Sequence, residues 1–156
     1  MKKVAFVCVF HQSDEHRPNG FEYLNLNLES IFTHCKYPFK FFGVDNESTD
    51  KFEVENNSEH LQIIRNNNQA KTGTTGAWNI GIKEAVKQDY DIILAINDDL
   101  IFDESINNFI EVIENYPEND NAIFGPVSNN PNNDYQLADK PTGKIFEITG
   151  EVRNEL

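Results

Sequence analysis

The segment "IILAINDDLIFD", residues 92–103, decides the fold, because it joins an apolar run to two adjacent carboxylates. The run from Ile92 to Ile96 contains no polar residue, which is typical of a strand covered on both faces at the centre of a parallel sheet. Asp98 and Asp99 follow where that strand ends. Carboxylates are strongly disfavoured in an apolar interior, so the pair requires a cation, a hydrogen-bond network or solvent beside it.

Outward from this segment, apolar runs alternate with segments of helical periodicity. We predict strands at residues 3–10, 38–45, 60–66, 90–97 and 122–127. We predict helices at about 21–34, from Thr74 or Thr75 to about Gln88, and from a cap at Asp103 to Pro117. This alternation indicates an α/β domain with a mostly parallel sheet.

Helical spacing also predicts which side chains face the sheet. They are Phe21, Leu24, Leu28, Ile31 and Phe32 in the first helix, Trp78, Ile82, Ala85 and Val86 in the second, and Ile106, Phe109, Ile110 and Ile113 in the third. Gly81 is expected to let the second helix pack closely on the sheet. Gly73 and Gly76 are expected to let the backbone approach a ligand.

The composition indicates a globular chain of one domain, since 156 residues suffice for one sizeable core. The formal charge of -13 argues against nucleic acid or an anionic membrane as a partner. No apolar stretch is long enough to cross a membrane and no cleavage signal follows the first strand. Cys8 and Cys35 lack metal-ligand spacing, so we expect two reduced cysteines and a cytoplasmic protein.

Polar residues follow each predicted strand at its carboxyl end, where ligands collect in open α/β sheets. They are His11 after the first strand, Asp45 and Asp50 after the second, residues 66–76 after the third and 97–99 after the fourth. Arg65 and Lys71 bring positive charge to the same region. The sequence therefore predicts a binding site at this end of the sheet.

Asp98 and Asp99 suit a hard divalent cation, because Mg²⁺ and Mn²⁺ take carboxylate oxygens together with waters and phosphates. The plain alternative is a solvated turn before the third helix. Likewise "VDNESTD", residues 44–50, is also typical of an Asx-turn. The glycine-containing stretch after the third strand lacks the Walker pattern, and the histidines lack the spacing of a zinc site.

Together these motifs resemble the nucleotide-binding half of GT-A glycosyltransferases of family 2. "VDNESTD" stands in the place of that family's D-D-G-S-x-D, "GAWNIGI" in that of its A-R-N-x-G-I, and "ILAINDD" in that of the strand ending in the D-x-D element. The match runs from about Val4 to Gly125. The resemblance implies a GT-A three-layer sandwich with a mostly parallel central sheet.

The resemblance also implies roles for individual residues. Asp45 resembles the carboxylate that binds the nucleotide base, with His11 lining the same pocket, and Asn97 lies toward the ribose. Asp99 resembles the metal ligand, with Asp98 beside it. Its further implications are a UDP- or GDP-sugar as ligand, Mn²⁺ or Mg²⁺ as cofactor, and additional nucleotide-sugar contacts from Asp50, Lys71, Gly73 and Asn79.

The chain departs from the family pattern at several points. Asn97 replaces a common Asp, Glu47 a glycine and Trp78 an arginine. No late E-D pair offers the general base of an inverting transfer, which leaves only Asp134 and Asp139 as candidates. We therefore expect one domain over 1–156, with a nucleotide-sugar-binding part at 1–127 and a turn-rich tail at 128–156 carrying short edge strands, and an acceptor half that is truncated, minimal or supplied by a second subunit.

The predicted function is metal-dependent, inverting sugar transfer from a nucleoside diphosphate sugar to an unknown sugar, lipid or protein acceptor. One alternative is a catalytically weak or inactive module that binds nucleotide sugars. Another is a sugar-phosphate nucleotidyltransferase, which would carry a G-x-G-x-R loop where this chain has "FHQSDEHRPNG", residues 10–20.

Overall fold

A computed structural model describes residues 1–52, 59–67 and 69–116. Its elements are β1 Val4–Phe10, α1 Gly20–His34, β2 Phe39–Asp45, β3 Leu61–Arg65, α2 Gln69–Lys87, β4 Ile92–Asn97 and α3 Ser105–Glu114. The predicted fifth strand at 122–127, Pro117 and the tail from 128 lie outside the described residues. The chain divides into two compact units, Met1–Ile110 and Glu111–Leu156, and the single domain over 1–156 stays a prediction.

The four strands form one sheet in the order β3-β2-β1-β4, and every neighbouring pair is parallel. This confirms the predicted α/β class with its parallel sheet. The register places Phe10 opposite Asp45, Asp45 opposite Arg65, and Val9 opposite Asn97. All four strands therefore end along one edge, which we call the carboxyl edge.

The core lies on both faces of β1, whose residues Val4 to Cys8 are fully buried. Within the described residues β4 pairs with β1 alone, and its residues alternate between buried and exposed. Because the predicted fifth strand lies outside the described residues, the central position of the fourth strand stays a prediction. Cys8 and Cys35 are both free thiols, and burial raises the pKa of Cys8.

Helix α1 packs on one face of the sheet, where Phe21 meets the ring of Phe10 at 6.1 Å between centroids. Leu24 and Ile31 are buried as predicted, but Phe32 is 45% exposed. The buried stripe of α1 continues instead through two polar residues, Asn27 and Ser30, both of which form hydrogen bonds. The apolar pattern therefore predicted the helix correctly, but it predicted only part of the buried face, because that face also contains Asn27 and Ser30.

Helix α2 packs on the opposite face, which completes three layers. A Cβ at Gly81 would lie 2.5 Å from Val7 Cγ1 and 3.0 Å from Val44 Cγ2, so glycine permits this close approach, as predicted. The helical segment from Gln69 is broken at Gly73, whose φ of 58° is left-handed, and the helix that follows this break starts at the position predicted for the cap, Thr74 or Thr75. Val86, predicted to face the sheet, is exposed.

Helix α3 begins after the capping residue expected from the sequence. Asp103 Oδ1 accepts hydrogen bonds from the backbone N and the Oγ of Ser105, at 2.9 and 2.5 Å. These bonds lower the pKa of Asp103, because they stabilise its charged form. Ile106 and Ile110 are buried, as their spacing predicts.

In the described part of the chain, no helix combines the length and apolar character that crossing a bilayer requires.

Candidate functional site

The carboxyl edge gathers polar side chains from the loops that follow each strand. Four of these residues come directly after strand ends that the register aligns: His11, Asn46, Asn66 and Asp98. Three of the four are buried, and His11 is half-buried. Buried polar groups require hydrogen-bond partners, and the partners at this edge come largely from neighbouring loops.

Asp45 ends β2 with only 2% of its surface exposed. Its Oδ1 accepts a hydrogen bond from the backbone N of Ser48 at 2.9 Å, and its Oδ2 pairs with Nη1 of Arg65. Arg65 in turn donates from Nη2 to Ser48 O at 2.6 Å and from Nε to Asn67 Oδ1 at 3.2 Å. The buried charge is thus compensated by a guanidinium that is itself fixed by three partners.

The turn after β2 is joined to the loop after β1. Glu47 adopts a left-handed φ of 65°, at the position where glycine is usual in the resembled motif. Ser48 Oγ accepts a hydrogen bond from Gln12 N at 2.9 Å, and Thr49 N donates to Gln12 O at 2.9 Å. These bonds hold the two loops at a fixed spacing and form one wall of the site.

His11 and two asparagines form a second hydrogen-bond network. His11 Nδ1 donates to Asn46 O at 3.1 Å, because a carbonyl oxygen can only accept. Asn46 N donates to Phe10 O at 2.9 Å, and Asn66 Nδ2 donates to Asn46 Oδ1 at 2.8 Å. The ends of three strands are therefore locked to one another.

Asp98 and Asp99 differ sharply in environment. Asp98 is 3% exposed and accepts a hydrogen bond from Arg17 Nη2 at 2.6 Å, whereas Asp99 is exposed. Burial raises the pKa of Asp98 by more than the nearby Arg17 lowers it. Oδ2 of Asp98 is buried and has no hydrogen-bond partner among the described residues.

Carboxylate oxygens are the ligands that hard divalent cations take, and two are available here, the buried Oδ2 of Asp98 and the exposed carboxylate of Asp99. Among residues 1–52, 59–67 and 69–116, no three His, Cys, Asp or Glu side chains converge on one point. A cation held here would take its remaining ligands from waters and from a phosphate ligand, which is the usual coordination of Mg²⁺. The protein would therefore supply only part of the coordination of a cation here, and waters and the ligand's phosphate would supply the rest.

The loop after Asp99 is held by the two buried polar residues of α1. Asn27 Nδ2 donates to Leu100 O at 2.8 Å. Phe102 N donates to Ser30 Oγ at 3.0 Å, and that hydroxyl donates to Asn27 O at 2.7 Å. Helix α1 thus fixes the backbone that follows the two carboxylates.

The structure brings only some of the predicted site residues to the carboxyl edge. His11, Asp45, Asn97, Asp98 and Asp99 lie there, and Gly73 forms the break near the start of α2. The side chains of Asp50 and Asn79 are exposed. The side chain of Lys71, and Asp134 and Asp139 entirely, lie outside the described residues.

Sequence reasoning missed several residues that shape the site. They are Gln12, Arg17, Asn27 and Ser30, whereas Asn46 and Asn66 fall within the predicted segments 44–50 and 66–76. Two of them carried a signal, because Asn27 and Ser30 continue the helical spacing of Leu24 and Ile31 and so interrupt an apolar face with polar residues. A polar residue on such a face indicates a buried hydrogen bond.

Comparison with solved structures identifies fold neighbours for this architecture. S. aureus TarS 1–349 matches with a TM-score of 0.53 at 18% identity, covering 72% of this chain and 32% of TarS. The same TarS region in complex with UDP-GlcNAc matches with a TM-score of 0.53 at 19% identity, covering 72% of this chain and 31% of the TarS chain. In complex with UDP it matches with a TM-score of 0.51 at 20% identity, covering 73% of this chain and 31% of the TarS chain. The chain thus spans about a third of the length of these structures.

Sequence comparison extends the match to most of the chain. A search of curated proteins finds no match. The family model described as glycosyl transferase family 2 matches residues 18–155, which confirms the predicted resemblance. With the three-layer architecture and the parallel sheet, the GT-A type of the fold is confirmed as well. The chain belongs to glycosyl transferase family 2.

Proposed function

We propose that this chain binds a nucleoside diphosphate sugar at the carboxyl edge and acts as the sugar-donor part of a glycosyltransferase. The observation that carries the proposal is the placement of three aspartates at the ends of two strands in one sheet. Asp45 is buried against Arg65, while Asp98 keeps an unpartnered oxygen beside the exposed Asp99. Family membership supports the same function.

The proposed roles follow the order of the strands along the edge. Asp45 and His11 receive the nucleotide base, because an ionised carboxylate and an imidazole Nε2 both accept hydrogen bonds from base N–H groups. Asn97 lies on the ribose side, and Asp98 and Asp99 lie at the diphosphate. Further contacts with the nucleotide sugar are proposed for Asp50, Lys71, Gly73 and Asn79.

The cofactor in this proposal is Mn²⁺ or Mg²⁺, held by Asp99 and by Asp98 Oδ2. When bound, such a cation supplies Lewis-acid stabilisation of the departing diphosphate. The protein contributes the position of its two carboxylates, which the hydrogen bonds from Asn27 and Ser30 to the following loop maintain. A local cation also reduces the repulsion between an anionic ligand and a chain of formal charge -13.

Among donors, we propose UDP-sugars for the first tests, since TarS is crystallised with UDP-GlcNAc and with UDP. GDP-sugars are the alternative. The acceptor, whether sugar, lipid or protein, is open, and inversion at the sugar stays a prediction. Three further features stay predictions. They are the general base, with Asp134 and Asp139 as candidates, a homo-oligomer or a separate acceptor half, and the cytoplasmic location.

Calorimetric titration tests the sugar-donor site directly. The protein is titrated with UDP, GDP and UDP-GlcNAc, first with MnCl₂ and then with EDTA. We expect saturable binding of one nucleotide class that weakens at least tenfold on removal of metal. Absence of binding under every condition would refute the proposal.

Product analysis then distinguishes the three possible functions, which are sugar transfer, nucleotidyl transfer and binding without turnover. With metal and UDP-GlcNAc, a transferase releases UDP by transfer or by slow hydrolysis. A sugar-phosphate nucleotidyltransferase would instead consume UTP and sugar phosphate and release pyrophosphate. Binding without either product would identify a nucleotide-sugar-binding module.

A further inference from the structure

We propose that Arg17 is a diphosphate-binding residue of the sugar-donor site, held in position by Asp98. This inference rests on the proposed function, because it concerns how the same edge receives the ligand's phosphates. Arg17 lies in the loop between β1 and α1, far in sequence from the carboxylates after β4. The structure nevertheless joins it to Asp98 through a hydrogen bond of 2.6 Å.

The position of Arg17 is fixed by its backbone and by its side chain. Ser13 and Arg17 form an isolated β-bridge, with Arg17 N donating to Ser13 O at 2.9 Å and Ser13 N donating to Arg17 O at 3.3 Å. The guanidinium carbon lies 5.8 Å from the ring centroid of Tyr23. An arginine fixed in this way loses little conformational entropy when a ligand binds.

The guanidinium of Arg17 has hydrogen-bonding capacity beyond Asp98. Its side chain is 35% exposed and it donates to Asp98 through Nη2, whereas a guanidinium carries five N–H groups. Arg65, the other arginine that the structure describes, uses Nε, Nη1 and Nη2 for Asn67, Asp45 and Ser48. Both side chains are 35% exposed, so Arg17 is the better placed of the two to receive an anion because fewer of its N–H groups are engaged by the described residues.

The orientation of Asp98 supports the same assignment. Its Oδ1 holds Arg17 while its buried Oδ2 is without a partner in the described part of the chain. Asp98 thus has one oxygen for the arginine and one for a cation or a hydroxyl of the ligand.

The negative charge that develops on the departing diphosphate indicates a chemical role for Arg17. In sugar transfer the anomeric carbon forms a bond to the acceptor oxygen, whose proton passes to a base. The bond between the anomeric carbon and the diphosphate oxygen breaks, and its electron pair stays on the diphosphate oxygen. The departing nucleoside diphosphate therefore gains negative charge as the sugar passes to the acceptor, next to two aspartates. A guanidinium at this point stabilises the developing charge through charge-assisted hydrogen bonds, which arginine forms readily with phosphate.

The test compares a diphosphate with its nucleoside under metal-free conditions. Binding of UDP, uridine, GDP and guanosine is measured by calorimetry in EDTA for the parent, Arg17→Gln, Arg17→Lys and the control His16→Gln, whose side chain is exposed in the same loop. We expect Arg17→Gln to weaken binding of the preferred diphosphate by about tenfold or more and to leave the nucleoside unchanged. Arg17→Lys should lie between, and His16→Gln should match the parent.

The remaining outcomes overturn the inference in distinguishable ways. Equal loss for diphosphate and nucleoside would show that Arg17 only maintains the fold, and unchanged diphosphate binding would show that it does not touch phosphate. If Arg17→Gln unfolds because Asp98 loses its counter-charge, the double variant R17Q/D98N keeps a neutral pair and takes its place, compared with D98N alone. If the parent binds only with MnCl₂, the same comparison of variants is made with that metal present. A parent that binds neither diphosphate nor nucleoside, with MnCl₂ or with EDTA, refutes the proposed function itself and this inference with it.

Discussion

At the residue scale, Asp98 and Asp99 show how adjacent carboxylates acquire different properties. Both residues lie in the turn directly after β4, where one side chain enters the protein and the other faces solvent. Asp98 is buried and paired with Arg17, whereas Asp99 is exposed. The buried residue therefore positions its surroundings, and the exposed residue is the one that a metal reaches most easily.

Replacing Asp99 should separate metal binding from stability. Because Asp99 is exposed, we expect Asp99→Asn to leave the melting temperature nearly unchanged. We expect it to abolish the Mn²⁺-dependent part of nucleotide binding, measured by calorimetry with and without EDTA. Asp14→Asn, another exposed aspartate, is the control. Equal metal dependence in Asp99→Asn and the parent would remove Asp99 from the metal site.

Replacing Asp45 should affect binding and stability together. Asp45→Asn keeps the shape of the side chain but leaves Arg65 without its charged partner. We expect nucleotide binding to weaken by about 1 to 3 kcal/mol, the range for a hydrogen bond to a charged group, and the melting temperature to fall. Asp89→Asn, exposed at the opposite end of the sheet, should change neither. Nucleotide titration curves equal to those of the parent would show that Asp45 has only a structural role.

At the scale of elements, the interior of the fold was easier to predict from sequence than its polar contacts. β1, β2 and the spacing of α3 follow from apolar patterns, because burial of apolar side chains dominates their placement. Arg17 and Asp98 are 81 residues apart, and no local pattern predicts such a pair. The same holds for the position of β4 in the sheet, since an apolar run indicates burial but does not specify neighbours.

The polar contact between α1 and the loop after β4 should be needed for stability. Asn27→Ala removes the donor to Leu100 O inside the protein and leaves a cavity, so we expect a loss of about 2 to 4 kcal/mol in unfolding free energy. Asn25→Ala, exposed on the same helix, should cost less than about 0.5 kcal/mol. Chemical denaturation measures both. Similar losses for the two variants would show that the Asn27 bond contributes little.

The close packing of α2 on the sheet makes a separate prediction. The methyl group of Gly81→Ala would press on Val7 and Val44, and overpacking of this kind typically costs about 1 to 3 kcal/mol. Alanine is otherwise the better helix former, so a steric origin predicts destabilisation where helix propensity predicts the reverse. Lys83→Ala, exposed on α2, controls for changes in the helix itself. A more stable Gly81→Ala would contradict the observed spacing.

At the scale of the whole molecule, acidic side chains oppose one another in their effect on pH-dependent stability. Hydrogen bonds from Ser105 lower the pKa of Asp103, and a hydrogen bond from Gln88 lowers that of Glu84. Both groups therefore contribute stability above their unfolded pKa values that is lost as pH falls. Asp98 acts in the other direction, because burial raises its pKa in the folded protein.

The pH dependence of Asp98→Asn relative to the parent isolates this opposing contribution. Below the usual pKa of 3.8 both folded and unfolded Asp98 are protonated. As pH rises through 3.8 the unfolded chain ionises first, so the parent loses stability until the pH passes the raised pKa of the folded state. Asn does not titrate, and the other acidic groups cancel in the comparison. We therefore expect the unfolding free energy of Asp98→Asn minus that of the parent, measured by urea denaturation, to increase as the pH rises from 3.8 to the raised pKa of folded Asp98. A difference that decreases over this range would mean that Arg17 outweighs burial and holds Asp98 ionised.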